Sequence, residues 1–158
     1  MQYPIMTSHR FGLSMRMLGA AVLAMAAAAA LAGESPVPSR IATFHADATP
    51  PIGHPMTGGY NSDVTSIEDP LDAKGVVIEQ GDDRYVLCSI DWCGLSNASH
   101  WLFRDKLALA AGTDPSRVAV HCTHTHTSIL ADDHARELLA ATEKPLPVHD
   151  PKWLEETA

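Results

Sequence analysis

Two apolar runs on either side of a helical pattern place the strongest constraint on the fold of this chain. Residues 84–90 and 118–120 are strand-like, and the stretch between them has the apolar spacing of a helix with one buried face. Ser96 and Asn97 can cap this helix, and Gly112 can end it. A strand, a helix and a strand of this length form a crossover, which makes the two strands parallel. The sequence therefore predicts an α/β fold.

A hairpin precedes the crossover. Residues 75–80 and 84–90 are separated by Gly81-Asp82-Asp83, a spacing typical of a β-hairpin. Residues 41–47 predict an earlier strand, which is closed by Thr49-Pro50-Pro51 because a residue before proline avoids the helical conformation. The predicted fold is thus a mixed sheet with a β-hairpin and a strand-helix-strand crossover, incomplete at its C-terminus. Because the run at 84–90 is apolar almost throughout, we expect it to be central and covered on both faces.

The strand that starts at Val118 runs into imidazole and hydroxyl groups. His124 and His126 are two positions apart, and side chains at i and i+2 of a strand point to the same face. His121 would face the opposite side. Two neutral imidazoles that converge from the end of a strand suit a divalent cation such as zinc. The same pair could form a hydrogen-bonded rim of the sheet, since two ligands alone do not make a metal site.

Three other polar positions have simpler interpretations. Asp91 follows the apolar run at 84–90 and would lie at the same sheet edge as the histidine pair. Its carboxylate could orient an imidazole or touch the metal, although capping the next turn is the simpler role. His54 lies in a loop with glycine and proline, which predicts a surface histidine. Residues 132–142 predict a helix, and we expect its first turn, residues 132–134, to be solvated.

The first 32 residues have the pattern of a secretory signal peptide. Arg10 and Arg16 precede an apolar run at 17–32 that ends in Ala30-Leu31-Ala32, the small-x-small pattern that signal peptidases cut after. The run is about 16 residues long, which is shorter than the ~20 that a membrane-spanning helix needs. We therefore expect export to the periplasm or the medium, with no membrane span after cleavage. Residues 33–40 would then be a linker.

Charge and cysteine content restrict the partners. Removal of residues 1–32 would keep all 19 acidic residues but only nine of the 11 basic ones, because Arg10 and Arg16 are lost. An acidic chain argues against nucleic acid as a partner. Three cysteines leave at least one thiol unpaired. Cys88 and Cys122 fit buried small hydrophobic positions, and a Cys88–Cys93 bridge is the alternative.

Four short motifs occur along residues 41–130. They are Phe44-x-x-Asp47-x-Thr49-Pro50-Pro51-x-Gly53, Asp69-Pro70-Leu71-x-Ala73-Lys74, Ser89-Ile90-Asp91 at the end of the hairpin, and Thr123-His124-Thr125-His126. In this order and spacing they resemble the N-terminal part of the neutral/alkaline (non-lysosomal) ceramidase family. The resemblance implies an exported zinc-dependent amidase that hydrolyses the N-acyl bond of ceramide-like lipids, so the partner would be a small-molecule or lipid amide.

The resemblance also implies roles for the histidines. His124 would be a zinc ligand, and His126 would be a catalytic residue beside the metal and the reacting group. The zinc would polarise the amide carbonyl and lower the pKa of a bound water to about 7. This chain departs from the family after the histidines, because members usually continue with Ser-Gly-Pro and here Thr127-Ser128-Ile129 follows.

The family takes its remaining ligands, a further histidine, a glutamate and a tyrosine, from later in a far longer chain. In addition, Pro151 opens a helix of about two turns, which is marginal on its own. Residues 41–158 are therefore predicted to be an N-terminal fragment of a ceramidase-like hydrolase domain, inactive alone.

Two other functions stay open. The chain could be an exported, non-catalytic α/β domain with weak or no metal binding, or a different metallohydrolase that uses His-x-His. Metallo-β-lactamase-like hydrolases expect an Asp-His pair where Ser128 and Ile129 stand. Amidohydrolase barrels place His-x-His on their first strand, whereas at least three predicted strands come earlier here.

Overall fold

A four-stranded mixed sheet forms the centre of the fold. The computed structural model describes residues 37–158, and the predicted signal peptide and the first part of the predicted linker lie outside the described residues. The strands are β1 (Ser39–Asp47), β2 (Asp72–Gln80), β3 (Asp83–Ile90), β4 (Gly94–Ser96), β5 (Val118–Cys122) and β6 (Leu130–Asp132). The main sheet has the order β1-β2-β3-β5, and β4 pairs with β6 in a separate parallel ladder.

The predicted strand pairing is confirmed. Strand β2 is antiparallel to both β1 and β3, whereas β3 and β5 are parallel. Strand β1 begins at Ser39, so the last two residues of the predicted linker are already strand. The β2–β3 hairpin turns at Gly81, whose φ of 61° is the left-handed conformation that glycine accepts without strain.

The crossover helix, α1 (Asn97–Ala111), connects β3 to β5 through the short strand β4. Ser96 is its N-cap residue, and Gly112 ends it in the left-handed conformation with a φ of 65°. Two shorter helices follow, α2 (Asp133–Ala140) and α3 (Pro151–Thr157). An aspartate is the N-cap residue of each, because the carboxylates of Asp132 and Asp150 accept hydrogen bonds from backbone N–H groups of the first turn. Within residues 37–158, no helix combines the length and apolarity needed to cross a membrane.

The core lies on the face of the sheet that α1 covers. Alternate residues of β3 point into it, and Ile90 and the neighbouring Trp92 are completely buried. The Trp92 ring packs edge-on against Phe103 of α1 and lies 5.7 Å from the Trp153 ring of α3. Leu154 is also completely buried. The short helix α3 is therefore held by tertiary packing, which supplies the stability that two turns lack alone.

The opposite face of the sheet is open in the described part of the chain. Tyr85 and Leu87 of β3 are 42% and 48% exposed, and Ile41 of β1 is 71% exposed. The expectation that β3 is covered on both faces is therefore wrong. The apolar run predicted a strand buried on both sides. Among the described residues, however, helix side chains such as Phe103 and Leu154 pack with the inward side chains of β3.

A hydrogen bond between a buried histidine and an aspartate ties the segment before α3 to α2. His149 has a side chain with 0% exposure, and its Nε2 lies 3.1 Å from Oδ1 of Asp133. Arg136 and Ser99 donate further hydrogen bonds to the same carboxylate. Asp133 was expected to be solvated, but it is the centre of this network. The reason is tertiary, since Ser99 belongs to α1 and His149 lies 16 residues downstream.

This pair predicts a loss of stability in mild acid. Burial lowers the pKa of His149 below its ordinary 6.5 and outweighs the opposite effect of Asp133. As the pH falls below 6.5, the unfolded chain takes up a proton at His149 before the folded chain does, so acidification favours unfolding. Burial also acts to raise the pKa of Asp133, but hydrogen bonds from Arg136 and His149 hold it below 3.8, so its contribution is lost only at lower pH.

We expect the free energy of unfolding, measured by urea denaturation, to be lower at pH 5 than at pH 7. His149→Asn should reduce this difference, because asparagine does not titrate in the window. His134→Asn is the control, since His134 is exposed and lies in α2 next to Asp133. An equal pH dependence in the His149→Asn variant and the unmodified chain would contradict the prediction.

Candidate metal centre

The loop after β5 brings the rings of His124 and His126 together. Strand β5 ends at Cys122, so both histidines lie beyond the strand. His124 has a φ of 68°, and its backbone N–H donates to the carbonyl of Trp92 at 3.0 Å. The convergence predicted from the sequence is therefore present, but strand alternation is not its cause. A left-handed residue at position 124 turns the chain, and histidine is among the residues that tolerate this conformation.

The two imidazoles have a spacing that one metal ion can span. Their Nε2 atoms are 3.1 Å apart, and the ring planes are almost perpendicular, at 86°. Both residues are exposed. Tetrahedral zinc with Zn–N bonds of about 2.05 Å separates two nitrogen ligands by about 3.3 Å. The pair therefore fits two ligands of zinc, and without metal it fits one N–H···N hydrogen bond.

A backbone carbonyl fixes the tautomer of His124. Its Nδ1 lies 2.8 Å from the carbonyl oxygen of Cys93. Because a carbonyl can only accept, Nδ1 carries the proton and Nε2 is left with the lone pair that faces His126. Metal-binding histidines are commonly oriented in this way by a group outside the coordination sphere. The Asp91 carboxylate, which was a candidate for this role, instead accepts a hydrogen bond from the backbone N–H of Asp72 at the end of β2.

Cys93 offers a third donor atom, a role that the sequence did not reveal. Its Sγ lies 4.0 Å from Nδ1 of His124, and one ligand atom from each of Cys93, His124 and His126 lies within 4.8 Å of the others. Cys93 is 7% exposed, and burial raises the pKa of its thiol. A metal would have to displace the thiol proton for sulfur to bind. Its position in the sequence could have indicated this role, because Cys93 follows the end of β3 at the sheet edge where β5 also ends.

His121 and His54, the two other histidines considered from the sequence, lie away from the pair. His121 lines a groove on the open face of the sheet, together with Val76 and Leu87, so it faces away from the pair as predicted. His54 was expected at the surface, but it is only 4% exposed. Its Nε2 accepts a hydrogen bond from the backbone N–H of Asp150, and its ring packs against Trp153 of α3. His54 is therefore a structural residue, buried because α3 folds back over its loop.

A groove adjoins the histidine loop. It has a volume of about 490 Å³, within the range of small-molecule sites. Thr125 and Thr127, which flank His126, line one side, and the segment between β1 and β2 lines the other. Both apolar and acidic side chains reach it, including Met56, Val64, Ile67, Glu68 and Asp69. A small amphipathic ligand could therefore lie against the threonines that flank His126.

The turn that follows the histidines is closed by a serine. Ser128 is completely buried, and its hydroxyl donates to the carbonyl of Thr125 at 2.6 Å. Ile129 is also completely buried, and its carbonyl accepts a hydrogen bond from the backbone N–H of Cys93. The sequence that departs from the Ser-Gly-Pro pattern thus forms an ordered turn anchored in the core.

Comparisons with known proteins give a likeness of fold. No family model matches this chain, and no curated protein matches it. The crystal structure of neutral ceramidase from Pseudomonas aeruginosa is similar, with a TM-score of 0.51 and 24% sequence identity over 60% of this chain and 16% of that chain. A ceramidase complexed with C2 is similar with a TM-score of 0.50 and 24% identity, over 58% of this chain and 15% of that one.

This likeness confirms, at the level of the fold, the resemblance that the sequence motifs predicted. The chain spans about a sixth of the length of the first of these proteins. The metal-ligand role of His124 and the catalytic role of His126 stay predictions.

Proposed function

We propose that this chain carries part of a zinc site of the neutral ceramidase type, and that the protein to which it belongs hydrolyses the N-acyl amide bond of ceramide-like lipids. One observation carries the proposal. In a fold similar to that of a neutral ceramidase, the lone pair of His124 Nε2 faces the Nε2 of His126 at 3.1 Å. The sequence motifs, which resemble the same family, support it independently.

The two histidines would have different tasks. His124 would hold the zinc through Nε2, because its Nδ1 is committed to the Cys93 carbonyl. His126 is exposed, and within the described residues its ring is hydrogen-bonded only to His124, so its Nε2 can exchange that one bond for a contact with metal or substrate. When bound, zinc supplies a Lewis acid for the amide carbonyl and for a water molecule. His126 could then hold or release a proton beside the reacting group.

The surroundings fit an amide lipid better than a polyanion. The groove of about 490 Å³ beside the loop combines apolar side chains with the carboxylates of Glu68 and Asp69, and the chain is acidic overall. Nucleic acid is therefore disfavoured as a partner. We further propose that the protein is exported by its N-terminal segment, as the sequence of residues 1–32 indicates.

Zinc content is the direct test. The purified full chain, dialysed against metal-free buffer at pH 7.5 after addition of zinc, should retain about one zinc ion per chain, because Cys93, His124 and His126 offer three donor atoms within 4.8 Å of one another. Elemental analysis gives the stoichiometry. A parallel assay with a short-chain N-acylsphingosine should show no hydrolysis by this chain and hydrolysis by a full-length relative, because the family takes its remaining ligands from later in a longer chain. Retention of no zinc would overturn the metal site. It would favour a non-catalytic domain, in which the histidines form only the N–H···N hydrogen bond that their spacing also permits.

A further inference from the structure

We infer that Thr57 and Asn61 are positioning residues that hold His126 in its metal-binding place, an inference that rests on the proposed function. The Thr57 hydroxyl donates to the backbone carbonyl of His126 at 2.8 Å, and the Asn61 side-chain amide donates to the same oxygen at 2.7 Å. The Asn61 amide also donates to the Thr57 hydroxyl at 2.9 Å. Two side chains from a loop 65 to 69 residues away thus converge on one carbonyl.

The same loop is joined to the histidine turn at a second carbonyl. The backbone N–H of Thr57 donates to the carbonyl of Ser128 at 2.9 Å, and the Thr57 hydroxyl lies 3.2 Å from that oxygen. An antiparallel bridge between Met56 and Asn61 keeps the two donors on one short hairpin-like loop. The turn is therefore held at positions 126 and 128 by one preformed element.

The strained backbone of Thr57 indicates that its hydroxyl is needed at this position. Thr57 has a φ of 47°, in the left-handed region, where a β-branched residue is a genuine outlier. Such a strained conformation persists only where its surroundings determine it. The two residues that follow, Gly58 and Gly59, have φ values of 64° and 80° and carry no such strain. Glycine at position 57 would relieve the strain but would lose the hydroxyl that binds His126.

The hydrogen bonds from Thr57 and Asn61 matter for the position of His126, because His126 has fewer other hydrogen bonds than His124 among the described residues. His124 is fixed twice, through its backbone N–H to Trp92 and through its ring to the carbonyl of Cys93. Within residues 37–158, the His126 ring is hydrogen-bonded only to His124. Its direction is therefore set through its own backbone, and the carbonyl of that backbone is the atom that Thr57 and Asn61 bind.

Zinc affinity tests the inference. In the full chain, Thr57→Val and Asn61→Ala should each raise the dissociation constant for zinc about 10- to 100-fold, the range typical for loss of a group that orients a ligand. The constant is measured by competition with a chromophoric chelator, and circular dichroism checks the fold. Thr57→Ser keeps the hydroxyl and should bind zinc nearly as the unmodified chain does.

Matched controls remove the same chemistry elsewhere. Thr142→Val deletes a hydroxyl that donates to the carbonyl of Leu139, and Asn97→Ala deletes an amide that donates to Asp132. Neither should change the dissociation constant. A dissociation constant that stays unchanged in Thr57→Val and Asn61→Ala, while the unmodified chain binds zinc, would overturn the positioning role and leave the zinc site standing.

A second measurement separates this inference from the proposed function. Without metal, nuclear Overhauser contacts between the rings of His124 and His126 should be present in the unmodified chain and lost in Thr57→Val and Asn61→Ala. Should the unmodified chain bind no zinc, the proposed function fails, and these ring contacts still decide the positioning role. Ring contacts that persist in both variants would overturn it.

Discussion

Replacement of His124 by alanine should raise the dissociation constant for zinc by about 100-fold or more. Of the two imidazoles in the pair, His124 is the one whose second nitrogen is hydrogen-bonded to a carbonyl, that of Cys93, which leaves its Nε2 free of a proton. Loss of a supporting group around a metal costs about 10- to 100-fold in affinity, and loss of the ligand itself should cost at least as much as the upper end of that range. Competition with a chromophoric chelator measures the constant in the full chain.

His121→Ala is the matched control for this variant. His121 is also exposed and lies only three residues away, but it belongs to the opposite face of the sheet. Its replacement should leave zinc affinity unchanged. If His124→Ala bound zinc as tightly as the unmodified chain, the ion would lie elsewhere and the proposed site would be wrong. Urea denaturation of both variants checks that any loss of affinity is not a loss of fold.

Trp92→Ala should lower the free energy of unfolding by about 3–5 kcal/mol, the range for truncation of a large buried aromatic residue. Trp92 is completely buried, and its ring contacts Phe103 of α1 and Trp153 of α3. Its Nε1 donates to the carbonyl of Ala48 at 2.8 Å, so truncation also leaves a buried acceptor without its partner. The variant therefore loosens α1, α3 and the end of β1 together. Urea denaturation followed by circular dichroism measures the effect.

Two further substitutions test how much of the lost free energy of unfolding comes from the ring, from its N–H donor and from its burial. Trp92→Phe keeps an aromatic ring but removes the N–H donor, and it should cost less than Trp92→Ala. Trp101→Ala truncates a tryptophan that is 55% exposed and should cost less than about 1 kcal/mol. A loss below about 1 kcal/mol in Trp92→Ala would show that α3 and α1 do not depend on this ring.

The parts of the fold that the sequence predicted are those set by local pattern and by handedness. The hairpin at Gly81, the end of α1 at Gly112 and the start of α3 at Pro151 each need a particular residue at one position of the backbone. The parallel pairing of β3 with β5 follows from the crossover alone. These features depend on neighbours in the sequence, so one chain is enough to predict them.

The features that the sequence did not predict depend on contacts between distant residues. The burial of His54 requires α3 to fold back over its loop, and the contact of Cys93 with His124 requires the ends of β3 and β5 to be adjacent in space. The contacts of Thr57 and Asn61 with His126 join two loops that no periodic pattern relates. The histidine pair itself was predicted for an incorrect reason, because a local turn replaces the expected strand.

The left-handed backbone of His124 limits which amino acids could serve as a ligand at this position. Among non-glycine residues, asparagine, aspartate and histidine are enriched in this conformation, whereas branched and bulky residues are penalised. Aspartate could therefore replace histidine with little change in the main chain, and would turn a nitrogen site into one suited to harder, oxygen-preferring cations. Most other donors would first have to reshape the turn. The main-chain conformation at position 124 thus limits which ligand residues, and through them which metals, a redesigned site could use.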